Sequence, residues 1–294
     1  MPKVIFQING GIGKVIMGTA VVRAIKKEYP DANIIVVSGY PDVFLDNPHV
    51  HRSYGFNQAT YFYDEFIENQ DIKVLAHDPY LETSFIKQNK HLLQIWCEMF
   101  NIPYNGEQPE IFLTKREIDF ASVKYNSEKP ILLLQTNGGA ENQSLKYSWA
   151  RDIPSHIVMG VIEQYKETHN IVHIRREDQP GYPNTIPVQD TFRNLVTLIS
   201  LSDKRLLMDS FAQHTAAALK LPSTVLWIAN KPEVFGYDIH TNILAKPFTK
   251  KPETKGSYLQ KFDITGDPLQ FPYHTEQEIF DLKDVLNALE PQKS

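Results

Sequence analysis

The chain has 294 residues, 42% of them hydrophobic and 22% charged, with a net charge of −5; this is an ordinary globular composition, long enough for two domains of about 150 residues. The acidic balance excludes a general nucleic-acid binder, which carries a basic surface. The single cysteine, Cys97, excludes an internal disulfide and a cysteine-based metal site. With no signal-peptide pattern and no apolar run near the ~20 residues that span a bilayer, the expected location is the cytoplasm, with at most peripheral contact at the inner face of the membrane.

Lys3 to Ile8 reads as a buried strand, Asn9-Gly10-Gly11-Ile12-Gly13-Lys14 as a tight turn, and Val15 to Tyr29 as a helix ended by Pro30. Asn33 to Ser38 is the next strand, so the chain opens on a βαβ unit. The turn fits neither common phosphate loop. From Gly11 the Gly-x-Gly spacing finds its next glycine only at Gly18, and a P-loop needs glycine where Ile8 stands and a hydroxyl where Val15 stands. The aromatic stretch Phe56 to Phe66 admits two readings, a sugar-stacking acceptor wall or an ordinary packed strand or short helix. Lys73 to Ala76 forms another strand ending in His77-Asp78-Pro79-Tyr80. An imidazole and a carboxylate at a strand tip facing the glycine turn suit general-base chemistry, so His77 and Asp78 are both candidate catalytic residues. Phe85 to Phe100 reads as one amphipathic helix with Cys97 in the core.

A polar, Pro- and Gly-containing passage follows, with a short strand at Ile111 to Leu113, and the charged stretch 114–129 reads as a linker. It separates an N-terminal domain, 1–120, from a C-terminal one, 121–294. Ile131 to Gln135 is a buried strand whose tip carries Thr136-Asn137-Gly138-Gly139-Ala140, small residues that let a phosphate or sugar approach the backbone. Ile153 to Tyr165 is a helix. Ile171 to Ile174 is a strand with Arg175-Arg176-Glu177-Asp178 at its tip, either a phosphate contact or a solvated ion-pair loop. After a helix from Thr191 to Leu201 come a strand at Leu206 to Met208, a polar loop at Asp209 to Gln213, an Ala-rich helix at His214 to Lys220 stopped by Pro222, and a strand at Ser223 to Ile228. Open parallel sheets bind ligands at such strand tips, where unpaired helix N–H groups attract anions. Asp209 suits ribose hydroxyls, and Ser210, His214 and Thr215 add donors around a diphosphate, unless Asp209 or Ser210 is only a helix cap. Lys246 to Lys261, with five lysines, is either a contact for an anionic lipid acceptor or a solvated loop. Thr275 to Leu289 is a closing helix of the C-terminal domain, with the option of packing back on the N-terminal one. The ten histidines are dispersed, so neither a metal nor a cofactor is expected.

The run Asp209-Ser210-Phe211-Ala212-Gln213-His214-Thr215-Ala216-Ala217-Ala218 resembles the Asp-Ser/Thr-Gly-x-x-His-x-x-Ala-Ala signature of glycosyltransferase family 9, the ADP-heptose lipopolysaccharide heptosyltransferases and their relatives, with Phe211 in place of the glycine. Ile25-Lys26-Lys27-Glu28-Tyr29-Pro30-Asp31-Ala32-Asn33-Ile34 is similar to the family's Leu-Lys-x-x-Tyr-Pro-x-Ala-x-Ile, and Asn47-Pro48-His49-Val50 to its Asn-Pro-x-Val. Leu145-Lys146-Tyr147-Ser148-Trp149 resembles its Lys-x-Trp-Pro segment, with one extra residue and no proline. The resemblance implies an α/β protein of two Rossmann-like domains facing across a cleft, the GT-B arrangement. It also implies an inverting, metal-independent transfer of heptose or a related sugar from a nucleotide-diphosphate donor, ADP-linked in the family, to a glycan or glycolipid of lipopolysaccharide type. Lys146 would pair with the donor phosphate as a catalytic cation. Thr136, Gly138, Arg175, Asp209, Ser210 and His214 would hold the donor, with Glu177 near the nucleoside, and Gly11, Gly13 and Lys14 would form the acceptor-side loop. Where Lys14 stands, the family carries an Asp taken as the general base on the acceptor hydroxyl. An ammonium cannot accept that proton at neutral pH unless its pKa is strongly depressed by burial. Either another residue, such as His77 or Asp78, is the base, or the chain is a non-catalytic member that keeps nucleotide or glycan binding with Lys14 as an anion contact. A P-loop-like ATPase is the remaining alternative.

Overall fold

A computed structural model of the chain describes residues 2–58, 60–138, 149–250 and 271–290. In it, strands β1 (Lys3–Ile8), β2 (Asn33–Ser38), β3 (Arg52–Tyr54) and β4 (Ile72–Leu75) form one parallel sheet in the order β3-β2-β1-β4. A second parallel sheet comprises β5 (Ile131–Leu134), β6 (Asn170–Ile174), β7 (Ile186–Val188), β8 (Lys204–Met208), β9 (Thr224–Trp227) and β10 (Thr241–Leu244), in the order β10-β9-β8-β5-β6-β7. Continuous Val, Ile and Leu runs suit strands covered on both faces, and Ile131 to Leu134 is buried throughout. In each sheet the chain builds outward to one side of its first strand and then to the other. The order therefore reverses beside β1 and beside β5, where an open parallel sheet leaves a crevice at the strand tips.

The helices are α1 (Ile12–Glu28), α2 (Phe62–Phe66), α3 (Thr83–Ile86), α4 (Leu92–Met99), α5 (Lys115–Lys124), α6 (Ser155–Tyr165), α7 (Phe192–Leu201), α8 (Phe211–Ala218), α9 (Pro232–Phe235) and α10 (Leu282–Leu289). Most of α1 is buried, because it packs on its own sheet and α4 on one side and on α8 of the second half on the other. Close approach of α1 and α8 rests on small residues: a Cβ added at Gly13 would lie 2.9 Å from His214 Cδ2. One apolar cluster therefore runs from β1 through α1 and α8 to β9. A second covers the other face of the second sheet beneath α6 and α10.

Several boundaries differ from the sequence reading. α1 starts at Ile12 and α8 at Phe211, earlier than the glycines and polar residues suggested; the first turn of a helix leaves its N–H groups unpaired, so it tolerates such residues. The segment 85–100 is two helices, α3 and α4, separated at Gln88 with φ of 50° and restarted where His91 Nδ1 accepts from the Leu93 amide. Residues 111–113 join no sheet, and much of the charged 114–129 stretch is α5, begun by a capping box in which Thr114 and Glu117 satisfy each other's amides. β3, β7 and β10 have no counterpart in the sequence reading. Within the aromatic stretch Phe62 and Phe66 of α2 contact the Tyr54 ring edge-on, whereas Phe56, Tyr61 and Tyr63 are exposed. α10 follows a 3-10 turn at Glu276–Glu278 and packs on α6, with Leu282 over Gly160, rather than back on the N-terminal half. Cys97 is buried as expected. Among the described residues no helix is long and apolar enough to cross a membrane. Most of the lysine-rich stretch lies outside the described residues.

Candidate functional site

The tips of both sheets open on one cleft of about 760 Å³. The N-terminal half contributes Gly11, Gly13 and Lys14 at the start of α1, and Asp78 beyond β4. Gly138, Arg175, Asp209, Ser210 and His214 line the opposite side, so nine of the residues expected to form the site meet in one place.

Their local settings differ. Ser210 is the N-cap position of α8 with extended backbone (φ −157°), but its hydroxyl caps nothing and instead accepts from Gln135 Nε2 at 3.1 Å. The other end of the same Gln135 amide accepts from the Ala212 N–H at 3.3 Å, so a residue at the β5 tip fixes the start of α8. Asp209 sits just below, almost without exposure, and accepts from the Asn230 side-chain amide. Burial pushes its carboxyl upward, opposed by the charge of Arg151 and by Asn230. His214, one turn into α8, has Nδ1 2.8 Å from the Tyr237 hydroxyl. Burial first, then the neighbouring His91 and His240, bring it down to about 3. It is therefore a neutral hydrogen-bonding ring near neutral pH, suited to a phosphate or sugar oxygen as a donor and not as a cation.

On the first sheet's side, Lys14 is buried, and its Nζ lies 2.6 Å from Asp78 Oδ1 and 4.4 Å from the centre of the Tyr80 ring. The Tyr80 amide donates to the same Oδ1 at 3.0 Å. Lys14 is thus bound to the strand-tip carboxylate that follows β4. Above β6, Arg175 Nη1 donates to the carbonyls of Arg176 and Gln179 at 3.1 and 3.0 Å, which fixes its guanidinium at the cleft wall. Arg176 grips Asp178 with two bonds at 2.9 and 3.0 Å.

Three expected residues stand apart from the cleft lining and one cannot be located. His77 is exposed and Glu177 points into solvent exposure beyond Arg176, neither lining the cleft. Thr136 is buried beneath it, with Oγ1 2.8 Å from His173 Nε2 and 2.7 Å from Asn137 Oδ1, and so supports the loop. Lys146 lies outside the described residues. Conversely, Gln135, Asn137, Arg151 and Asn230 line the cleft without having been singled out. Asp152 holds the 137–138 turn by accepting from Asn137 Nδ2 at 2.8 Å and the Gly138 amide at 3.1 Å. The strand-tip positions of Gln135 and Asn230 were the available signal for those two.

No family model matches the chain, and no curated protein does. Solved structures do. The glycosyl transferase family 9 structure from Veillonella parvula is 12% identical with a TM-score of 0.68, covering 97% of this chain and 95% of that one. The ADP-heptose lps heptosyltransferase II of E. coli is 15% identical with a TM-score of 0.65, covering 98% of each chain. The E. coli heptosyltransferase WaaC with ADP is 8% identical with a TM-score of 0.56, covering 83% of this chain and 93% of that one. At such identities the likeness is one of fold: two α/β units with parallel sheets across a cleft, the GT-B arrangement.

Proposed function

We propose that the chain is a glycosyltransferase of family 9 type, which moves a sugar from a nucleotide-diphosphate donor on the C-terminal half to a glycan or glycolipid acceptor on the N-terminal half. One observation carries this reading. At the switch point of the second sheet, the N-terminus of α8 meets Asp209, Ser210 and His214 in the same cleft as Arg151 and Arg175. Unpaired helix amides and fixed guanidinium groups are what a leaving diphosphate requires, and preorganised donors of this kind supply much of the stabilisation in group transfer. Lys146 adds a further cation by its resemblance. In this reading those cations take the part a metal would otherwise play. Asp209 would accept from donor hydroxyls, and Ser210 and His214 would hold phosphate or sugar oxygens. Inversion follows from direct attack of the acceptor hydroxyl on the anomeric carbon, opposite the departing diphosphate. The structural neighbours carry ADP and ADP-heptose in their names, which makes ADP-heptose the first donor to try and a lipopolysaccharide-type glycan, met at the inner face of the membrane, the first acceptor. A P-loop ATPase would commit its lysine to the nucleotide phosphates, whereas Lys14 is paired with Asp78 at 2.6 Å.

Calorimetric titration with ADP-heptose, ADP, UDP, GDP and CMP, with and without magnesium, tests the reading. One nucleotide should bind without the metal, and Asp209→Ala should weaken that donor at least tenfold. Absence of binding by the whole panel, or binding only with magnesium, would overturn it.

A further inference from the structure

A hydroxyl that attacks an anomeric carbon must lose its proton to a group in the cleft. Among the described residues the cleft is lined by three carboxylates, Asp78, Asp190 and Asp209, and by the ring of His214. Asp190 is consumed. It accepts from the Tyr125 hydroxyl at 2.6 Å, Asn194 Nδ2 at 2.7 Å, the Thr191 amide at 2.8 Å and Lys124. Burial raises its carboxyl, but these donors outweigh it and hold the group well below the usual range. Asp209 belongs to the donor side, is nearly inaccessible and is tied to Asn230. The ring of His214 is bonded to Tyr237 and brought down to about 3, a poor proton acceptor. Asp78 is the carboxylate that remains, and it stands on the acceptor side.

Its geometry is that of a held base. The bonds from Lys14 Nζ and from the Tyr80 amide both fall on Oδ1, and among the described residues Oδ2 accepts none. The side chain keeps 31% of its exposure, whereas Lys14 beside it keeps 4%. Lys14 is further fixed by the faces of Tyr80 and Trp96, at 4.4 and 5.5 Å from the ring centres. One carboxylate oxygen is anchored by a buried cation and an amide, and the part-exposed side chain lines the cleft.

We propose that Asp78 is the general base on the acceptor hydroxyl and that Lys14 is the residue that positions it; the inference rests on the glycosyl-transfer reading. In the step, the acceptor O–H proton passes to Asp78 Oδ2 as its oxygen bonds to the anomeric carbon. The bond from that carbon to the phosphate oxygen breaks, and its electron pair leaves with the diphosphate.

The test needs no knowledge of the acceptor. ADP release from ADP-heptose is followed with water as the nucleophile and, separately, with added azide, an anion that attacks without giving up a proton. Asp78→Ala should lower water-driven release by about 10²- to 10⁴-fold, the usual worth of a general base, and should still release ADP with azide and form the glycosyl azide. Lys14→Met should lower the rate of water-driven release while leaving the KM for ADP-heptose unchanged, with azide-driven release retained as the check on folding. Water-driven release by Asp78→Ala at the wild-type rate overturns the assignment, as does loss of the azide reaction in that variant together with the water reaction. If the wild-type protein releases ADP with neither nucleophile, the glycosyl-transfer reading itself fails.

Discussion

At the scale of single residues, the second half is organised around neutral imidazoles. His214 and His240 are brought down from 6.5 to about 3 and about 4, in both cases mainly by burial, and His91 is lowered for the same reason. In the unfolded chain each would take a proton near 6.5. Between that value and the folded one the unfolded state holds more protons, so their contribution to stability is complete above about pH 6.5 and is lost as the pH falls, toward about 4 for His240 and about 3 for His214. Buried Asp152 and Asp209, pushed upward, offset part of this loss. Denaturant midpoints should therefore fall between pH 6.5 and 4, and His240→Asn should flatten that slope by up to about 1.4 kcal/mol per pH unit; an unchanged slope would contradict the assignment. Gly13 offers a second case. A methyl there would meet the edge of His214 at 2.9 Å and lie 3.7 Å from the Phe211 Cα, so Gly13→Ala should cost about 1–3 kcal/mol by overpacking in urea titration and should weaken donor binding through His214.

At the scale of elements, α5 and α7 form a clasp between the halves. Arg193 on α7 reaches Glu117 of α5 with bonds at 2.6 and 2.8 Å and the Phe112 carbonyl at 2.6 Å, and these bonds help bring the Glu117 carboxyl down to about 2, the Arg193 bonds being the largest cause. Removing the arginine leaves the partly buried Glu117 carboxylate to Thr114 alone and the Phe112 carbonyl without its arginine donor, so Arg193→Ala should destabilise by about 2–4 kcal/mol in urea unfolding, and Thr114→Ala, which opens the capping box, by about 1 kcal/mol. Elements of this kind divide the legible from the illegible. Strands such as β1, β2, β5 and β9 are apolar runs closed by turn residues and can be read directly. β7 contains Pro187, which argues against a strand until its place at the sheet edge is known. α5 has a polar, weakly periodic sequence, and only its cap, Thr114 with Glu117 three residues on, announced it.

For the molecule as a whole, the shared cluster through α1 and α8 ties the two sheets into one core. Calorimetric unfolding should therefore follow a single transition with equal calorimetric and van't Hoff enthalpies, where independent domains would give two. The site was legible where chemistry follows a strand tip in sequence, as at Asp209, Ser210, Arg175 and Asp78. It was illegible where the partner is far along the chain: the Gln135 amide bonds to Ser210 and Ala212 across 75 and 77 positions, and nothing local encodes that. The bond between Lys14 and Asp78 spans 64 positions, so a change of charge at one is felt at the other, and the two positions are expected to change together or not at all.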